Sequence, residues 1–342
     1  MSHTPLRLLR FPVLGIAAAA ALAAFVLAAK SGPAKEKYLY VWAGDQARKA
    51  PDFLAVVDFD EASQTYGRIL TTVSLPEPGA ANNEPHHVGL STDGKILACG
   101  GLLSLLQGQK EVFFFDVSDP AKPKFVSSAD PPQSGITDEF YALQGGGFLV
   151  TMMGGAQGHH PGRVAEFDKD LKLVAEHPAE PPAEGFNPHG ISVRPEVNLM
   201  VTSDFICPSS TLASVPGDLD LRGSARVWDF KARKILRTIP VPGAGGTIDV
   251  RLIPGDPGKR GYTAGMIDDK LYLLDTEKAT ARAVFDFATI AKGGWPQLMR
   301  TTRDGKRLFV SMNMAGKIAM FDTSDPEHPK LLKALDLGKD SG

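Results

Sequence analysis

From Tyr38 onward the chain reads as short apolar and β-branched runs, among them YLYVWAG, FLAVVDFD, EVFFFDV, FLVTMMG, ARVWDF, KLYLLD, RLFVSM and KIAMFDT, broken by clusters of Gly, Pro, Asp and Asn. No stretch of it sustains the apolar period of about 3.6 residues that lets a helix bury one face, whereas brief runs bounded by turn residues form strands. The pattern predicts an all-β fold. It restarts near Lys37, Pro85, Thr137, Pro188, Thr247 and Pro296, roughly every fifty residues, which is the spacing of four-stranded propeller blades. Six blade-like units of a β-propeller are therefore visible, in a domain spanning residues 35–342. Several strands end in an aspartate (Asp116, Asp168, Asp229, Asp275, Asp322), a residue that holds a tight turn through its own neighbouring backbone.

The units share a second pattern. Pro85-His86-His87, Pro188-His189 and Pro296-Gln297 each stand at the head of a unit, and Asp138 and Asp249 fall at or next to the same place. If the units close around a channel, the heads of their inner strands converge at one mouth, which predicts that His86, His189 and Gln297 face each other there. Imidazole and carboxylate donors in one place suit a transition metal. Adjacent residues of a regular strand point to opposite faces, so His86 and His87 reach one ion only where the backbone is irregular. His86, His87 and His189 are the candidate metal ligands, with Asp249 and Gln297 as further donors or supporting partners.

Residues 1–34 are different. Arg7 and Arg10 precede an apolar run from Phe11 to Ala29, which reads as an export signal or a membrane anchor. Export places the domain in the periplasm or beyond, with membrane contact only through this segment. A net charge of -2 over 342 residues provides no basic field for nucleic acid. Cys99 and Cys207 are the only cysteines, which excludes a disulfide framework; Cys99 reads as buried, Cys207 as an accessible loop residue. His159-His160 in GGAQGHHPGR reads as an exposed hairpin tip, and His177 as solvent-facing. The polar insertion 207–224 reads as a rim loop.

The blocks KAPDFLAVVDFD (Lys49–Asp60), EPHHVG (Glu84–Gly89), ARVWDF (Ala225–Phe230) and MFDTSDPEHP (Met320–Pro329) resemble, in order, those of the selenium-binding protein/methanethiol oxidase family. The resemblance implies a seven-bladed propeller, copper bound by histidines, and oxidation of a small thiol, methanethiol, by O2 and water to formaldehyde, hydrogen sulfide and hydrogen peroxide. It carries His86 and His87 over as ligands. Three positions depart from the family pattern: Asp138-Glu139-Phe140-Tyr141 stands where a histidine pair is expected, Gly67 where a cysteine is, and Ala315 where a histidine is. Asp138 becomes the candidate acceptor of the thiol proton. The sixth unit ends where the family continues into a further blade, so an incomplete ring is expected. The competing reading is a non-catalytic propeller that binds a metal, selenium or a protein.

Overall fold

The computed structural model describes residues 36–182, 185–211 and 219–338. Among these it contains one three-stranded sheet and five four-stranded sheets, every pairing antiparallel between strands consecutive in the chain. The three-stranded sheet is β1 (Tyr38–Ala43), β2 (Phe53–Asp58) and β3 (Ile69–Ser74). The others begin with β4 (Pro85–Leu90), β8 (Ser134–Ala142), β12 (Pro188–Arg194), β16 (Thr247–Leu252) and β20 (Pro296–Thr301). These first strands lie side by side in chain order, β4 by β8, β8 by β12, β12 by β16 and β16 by β20, so the sheets fan around a common axis in a propeller-like array. The Phe11–Ala29 run lies outside the described residues; among those described, no helix is long and apolar enough to cross a membrane.

Burial between faces of successive sheets holds the array. Trp42, Leu54 and Phe113 fill the first interface, Phe114, Phe148 and Phe167 the second, and Leu149, Phe186 and Trp228 the third. Val201, Val227 and Tyr272 fill the fourth, and Tyr262, Phe287 and Phe321 the fifth. Fully burying one such aromatic contributes about 1.5–3 kcal/mol relative to leaving it exposed. Among the described residues no buried cluster and no strand pairing joins the sixth sheet to the first. The strand-end aspartates behave as their sequence position suggests: Asp116, Asp168, Asp229, Asp275 and Asp322 each accept hydrogen bonds from backbone N–H groups a few residues on.

One irregularity recurs. In β4 the register with β5 (Ile96–Gly101) slips between Pro85 and Val88, so that three steps on one strand face two on the other. The same slip occurs between Thr137 and Phe140, between Pro188 and Ile191, between Thr247 and Val250 and between Pro296 and Met299. Each is a β-bulge, which bends its strand and re-aims the side chains at the extra residue. Hydroxyls on the neighbouring strand satisfy the disturbed backbone. Thr151 Oγ1 accepts the Glu139 N–H at 2.8 Å and donates to the His189 carbonyl at 2.5 Å. Ser203 Oγ accepts the Gly190 N–H at 3.1 Å and donates to the Ile248 carbonyl at 2.7 Å. Each hydroxyl thus ties its own bulge to the next.

Candidate metal centre

The bulges place two residues of each inner strand at the head of the axis: His86-His87, Asp138-Glu139, His189-Gly190, Ile248-Asp249 and Gln297-Leu298. His86, Asp138 and His189 occupy one position in this series, and His87 reaches the same place from the second. The Nε2 atoms of His86, His87 and His189 lie 3.4, 3.2 and 3.1 Å from Asp138 Oδ1. The rings stand nearly edge to face, with centroids 4.6 Å apart for His86 and His87 and 5.3 Å for His87 and His189. One donor atom from each of the four residues lies within 4.8 Å of the other three.

The environment of these donors is unusual for a cluster held together by hydrogen bonds alone. Asp138 is fully buried, and among the described residues neither of its oxygens has a well-formed hydrogen-bond partner; His189 Nδ1 is buried without one as well. Orphaned polar atoms of this kind cost free energy unless something completes them. Burial pushes His87 down to about 4 and also lowers His189. For His86 burial acts in the same direction, but the Asp138 carboxylate outweighs it and raises the group. Asp138 is itself lowered: burial opposes ionisation, and the facing imidazoles overcome it. Three imidazole nitrogens and one carboxylate oxygen in this arrangement fit a transition-metal ion.

A cavity of about 320 Å³ opens onto the cluster, its floor formed by His86, His87 and His189 and its walls by Leu102, Leu106, Ile136, Met153, Phe205 and Ile248. The His189 ring packs edge-on against Phe205 at 5.3 Å, which fixes its orientation. Pro208 and Thr211, at the two ends of a short helix that opens the 207–224 insertion, complete one wall.

The remaining sequence candidates lie elsewhere. Gln297 lines the cavity and donates to Met266 Sδ at 3.6 Å, outside the group of four donors. Asp249 is fully committed: its carboxylate accepts the Met299 N–H at 2.7 Å and faces Arg251 at 3.1 Å and Arg300 at 3.3 Å. Glu139 forms the other half of this network. It takes Arg251 at 2.5 Å and Arg300 at 3.3 Å and accepts the Ile191 N–H at 3.0 Å. Neither arginine stood out in the sequence, although Glu139, Asp249, Arg251 and Arg300 all lie at or just beyond the bulges. Two expectations change: Cys207 is buried, and His177 is half-buried on β11 (Leu173–His177) with its Nε2 2.9 Å from Glu166. His160 is exposed as expected and lies beside Cys207.

A family model described as 56kDa selenium binding protein matches residues 23–340. Among curated proteins, a methanethiol oxidase of Hyphomicrobium sp is 28% identical over 327 residues, covering 89% of this chain and 71% of that protein. A methanethiol oxidase of Homo sapiens is 23% identical over 348 residues, covering 91% and 71%. Among solved structures, a hypothetical selenium-binding protein from Sulfolobus tokodaii superposes with a TM-score of 0.75 at 19% identity, covering 92% of this chain and 77% of that one. A virginiamycin B lyase from Staphylococcus aureus superposes at 0.59 with 14% identity, covering 90% and 87%, a likeness of fold alone. With nearly its whole length matched by the family model, the chain belongs to the 56 kDa selenium-binding protein family.

Proposed function

We propose that this protein is a methanethiol oxidase-like oxidoreductase, using copper held by His86, His87, His189 and Asp138 to oxidise a small thiol with O2. The observation that carries the reading is the union of four convergent donors with an apolar cavity that ends on three imidazoles. Copper binds imidazole strongly and accepts thiolate sulfur, and when bound it supplies the redox centre that lets O2 react with a closed-shell thiol. The overall change takes methanethiol, O2 and water to formaldehyde, hydrogen sulfide and hydrogen peroxide.

The chain's own residues orient and confine the substrate. Leu102, Leu106, Ile136 and Phe205 give the methyl group an apolar surround and limit water at the floor to what the reaction consumes, which strengthens the electrostatic interactions there. The thiol proton passes to Asp138. Its Oδ1 faces the three imidazole Nε2 atoms and would serve the ion, which leaves the buried Oδ2 as the oxygen that takes the proton. The proposal also keeps the domain exported, on the strength of the Arg-flanked apolar run at Phe11–Ala29.

Copper analysis of the purified protein, combined with a methanethiol-dependent peroxide and sulfide assay, tests the reading. The expected result is one tightly held copper per chain and production of both compounds, with His189→Ala lowering copper occupancy by about tenfold or more and turnover with it. Copper retention without O2 consumption would overturn the oxidase reading and favour a binding propeller.

A further inference from the structure

A second group of donors lies apart from the four already described. Cys207 Sγ, His160 Nδ1 and a carboxylate oxygen of Asp220 all lie within 4.8 Å of one another. They come from three segments. His160 sits on the hairpin between β9 (Phe148–Gly155) and β10 (Arg163–Phe167), Cys207 follows β13 (Leu199–Ile206), and Asp220 precedes β14 (Leu221–Asp229). Backbone hydrogen bonds pin them together: the Cys207 N–H donates to the Asp220 carbonyl at 3.0 Å, and the Ser209 N–H donates to the Gly158 carbonyl at 3.0 Å.

We infer that Cys207, His160 and Asp220 form a second metal site, for a divalent ion of the zinc class, with a fourth position open at the protein surface. Thiolate, imidazole and carboxylate are the three ligand types zinc takes, and three protein ligands with one open position is its pattern in reactive sites. With Zn–S at about 2.3 Å and Zn–N at about 2.0–2.1 Å, tetrahedral geometry separates sulfur from nitrogen by roughly 3.6 Å. The Cys207 to His160 distance is 3.9 Å, long for a hydrogen bond and close to a tetrahedral edge. Cys207 is buried while His160 and Asp220 are exposed, so the anchor is fixed and the His160 ring can adjust.

Supporting groups surround the ligands as metal sites require. Ser209 Oγ lies 3.3 Å from Cys207 Sγ, placed to donate to a thiolate. Arg222 grips Asp220 through two nitrogens at 2.8 and 2.6 Å and is held by Asn187 Oδ1 at 2.9 Å. A carboxylate has lone pairs enough to accept Arg222 and still bind an ion. Ion binding releases the Cys207 proton to solvent. Ile206, Pro208 and Thr211 line the cavity above the histidine cluster, which puts the second site at its rim.

Cobalt(II) titration of the reduced full chain tests this, because a thiolate bound to cobalt produces a near-ultraviolet charge-transfer band that imidazole and carboxylate cannot. Cys99 is fully buried in the second sheet and has no place in the donor group. The expected result is a band in the wild-type chain and in His189→Ala, its loss in Cys207→Ser, and displacement of cobalt by zinc. His160→Ala and Asp220→Asn, read by the same titration with folding checked by circular dichroism, should each weaken cobalt binding about 10-fold or more. A wild-type chain that shows no band, a band that persists in Cys207→Ser, or unchanged affinity in both folded surface variants would overturn the site.

Discussion

Asp138 and Glu139 are neighbours in sequence with opposite fates. The bulge turns the first toward three imidazoles and the second toward Arg251, so one carboxylate is left open to an ion while the other is neutralised. Glu111 is a third case, buried with no ion pair to it among the described residues. Its Oε2 accepts the Ile136 N–H at 2.5 Å, while Oε1 has no partner. Burial pushes this carboxyl from 4.5 up to about 8. Below pH 4.5 the group is protonated in both folded and unfolded chains. Between there and about pH 8 the unfolded chain releases a proton that the folded chain keeps, so its contribution to stability is lost as pH rises through this window. Glu111→Gln keeps the acceptor and removes the titration. Urea unfolding of the variant should match wild type near pH 5 and exceed it near pH 8, by about 1 kcal/mol or more; a gain equal at both pH values would refute the assignment.

At the scale of the strand, the bulge depends on close approach at Gly190. A Cβ there would stand 2.9 Å from the Asp249 Cα and 2.9 Å from Ser203 Oγ, inside contact distance of backbone and of the hydroxyl that ties two bulges together. Gly190→Ala should therefore lower the urea midpoint, by about 1–3 kcal/mol of stability, and weaken metal binding through the adjacent His189. An unchanged midpoint would mean that β12 and β16 can move apart freely. Much of the strand order was legible in the sequence: four unit heads, Pro85, Pro188, Thr247 and Pro296, are also strand starts. The bulges were not, because one extra residue in a strand of six leaves the apolar run intact. That single residue explains Asp249, whose offset of one position puts Ile248 at the cavity and sends the carboxylate to arginine. It also explains how His86 and His87 reach one point. His160 and Cys207 lie 47 residues apart in loops, where no periodic signal exists to connect them.

At the scale of the molecule, and among the described residues, four sheets have a neighbouring sheet on both sides and the first and sixth have one on a single side. The first sheet exposes Leu39, Val41 and Ile69, and the sixth exposes Phe309 and Leu335, whereas each intervening sheet contributes to two buried interfaces although single side chains such as Leu90, Val174 and Leu236 stay exposed. Elements with one solvated face open at lower free energy than those packed on both. Native-state hydrogen exchange should therefore release the amides of β1–β3 and of the sixth sheet before those of β8, β12 and β16. Uniform protection across all six sheets would show that the uncovered faces cost nothing.

The donors of the histidine cluster all come from β4, β8 and β12, three successive inner strands. A ligand that binds only the folded form stabilises it by mass action, by roughly 2.7 kcal/mol at a hundred times its dissociation constant. Here that gain falls on three sheets that each contribute to two buried interfaces. An ion held by these residues would act as a clasp on the second, third and fourth sheets, widening the interval between the free energy at which they open and that at which the flanking sheets do. Loading the centre would leave the first and sixth sheets to open as before, so the chemistry stays assembled while those two sheets fray and reclose independently.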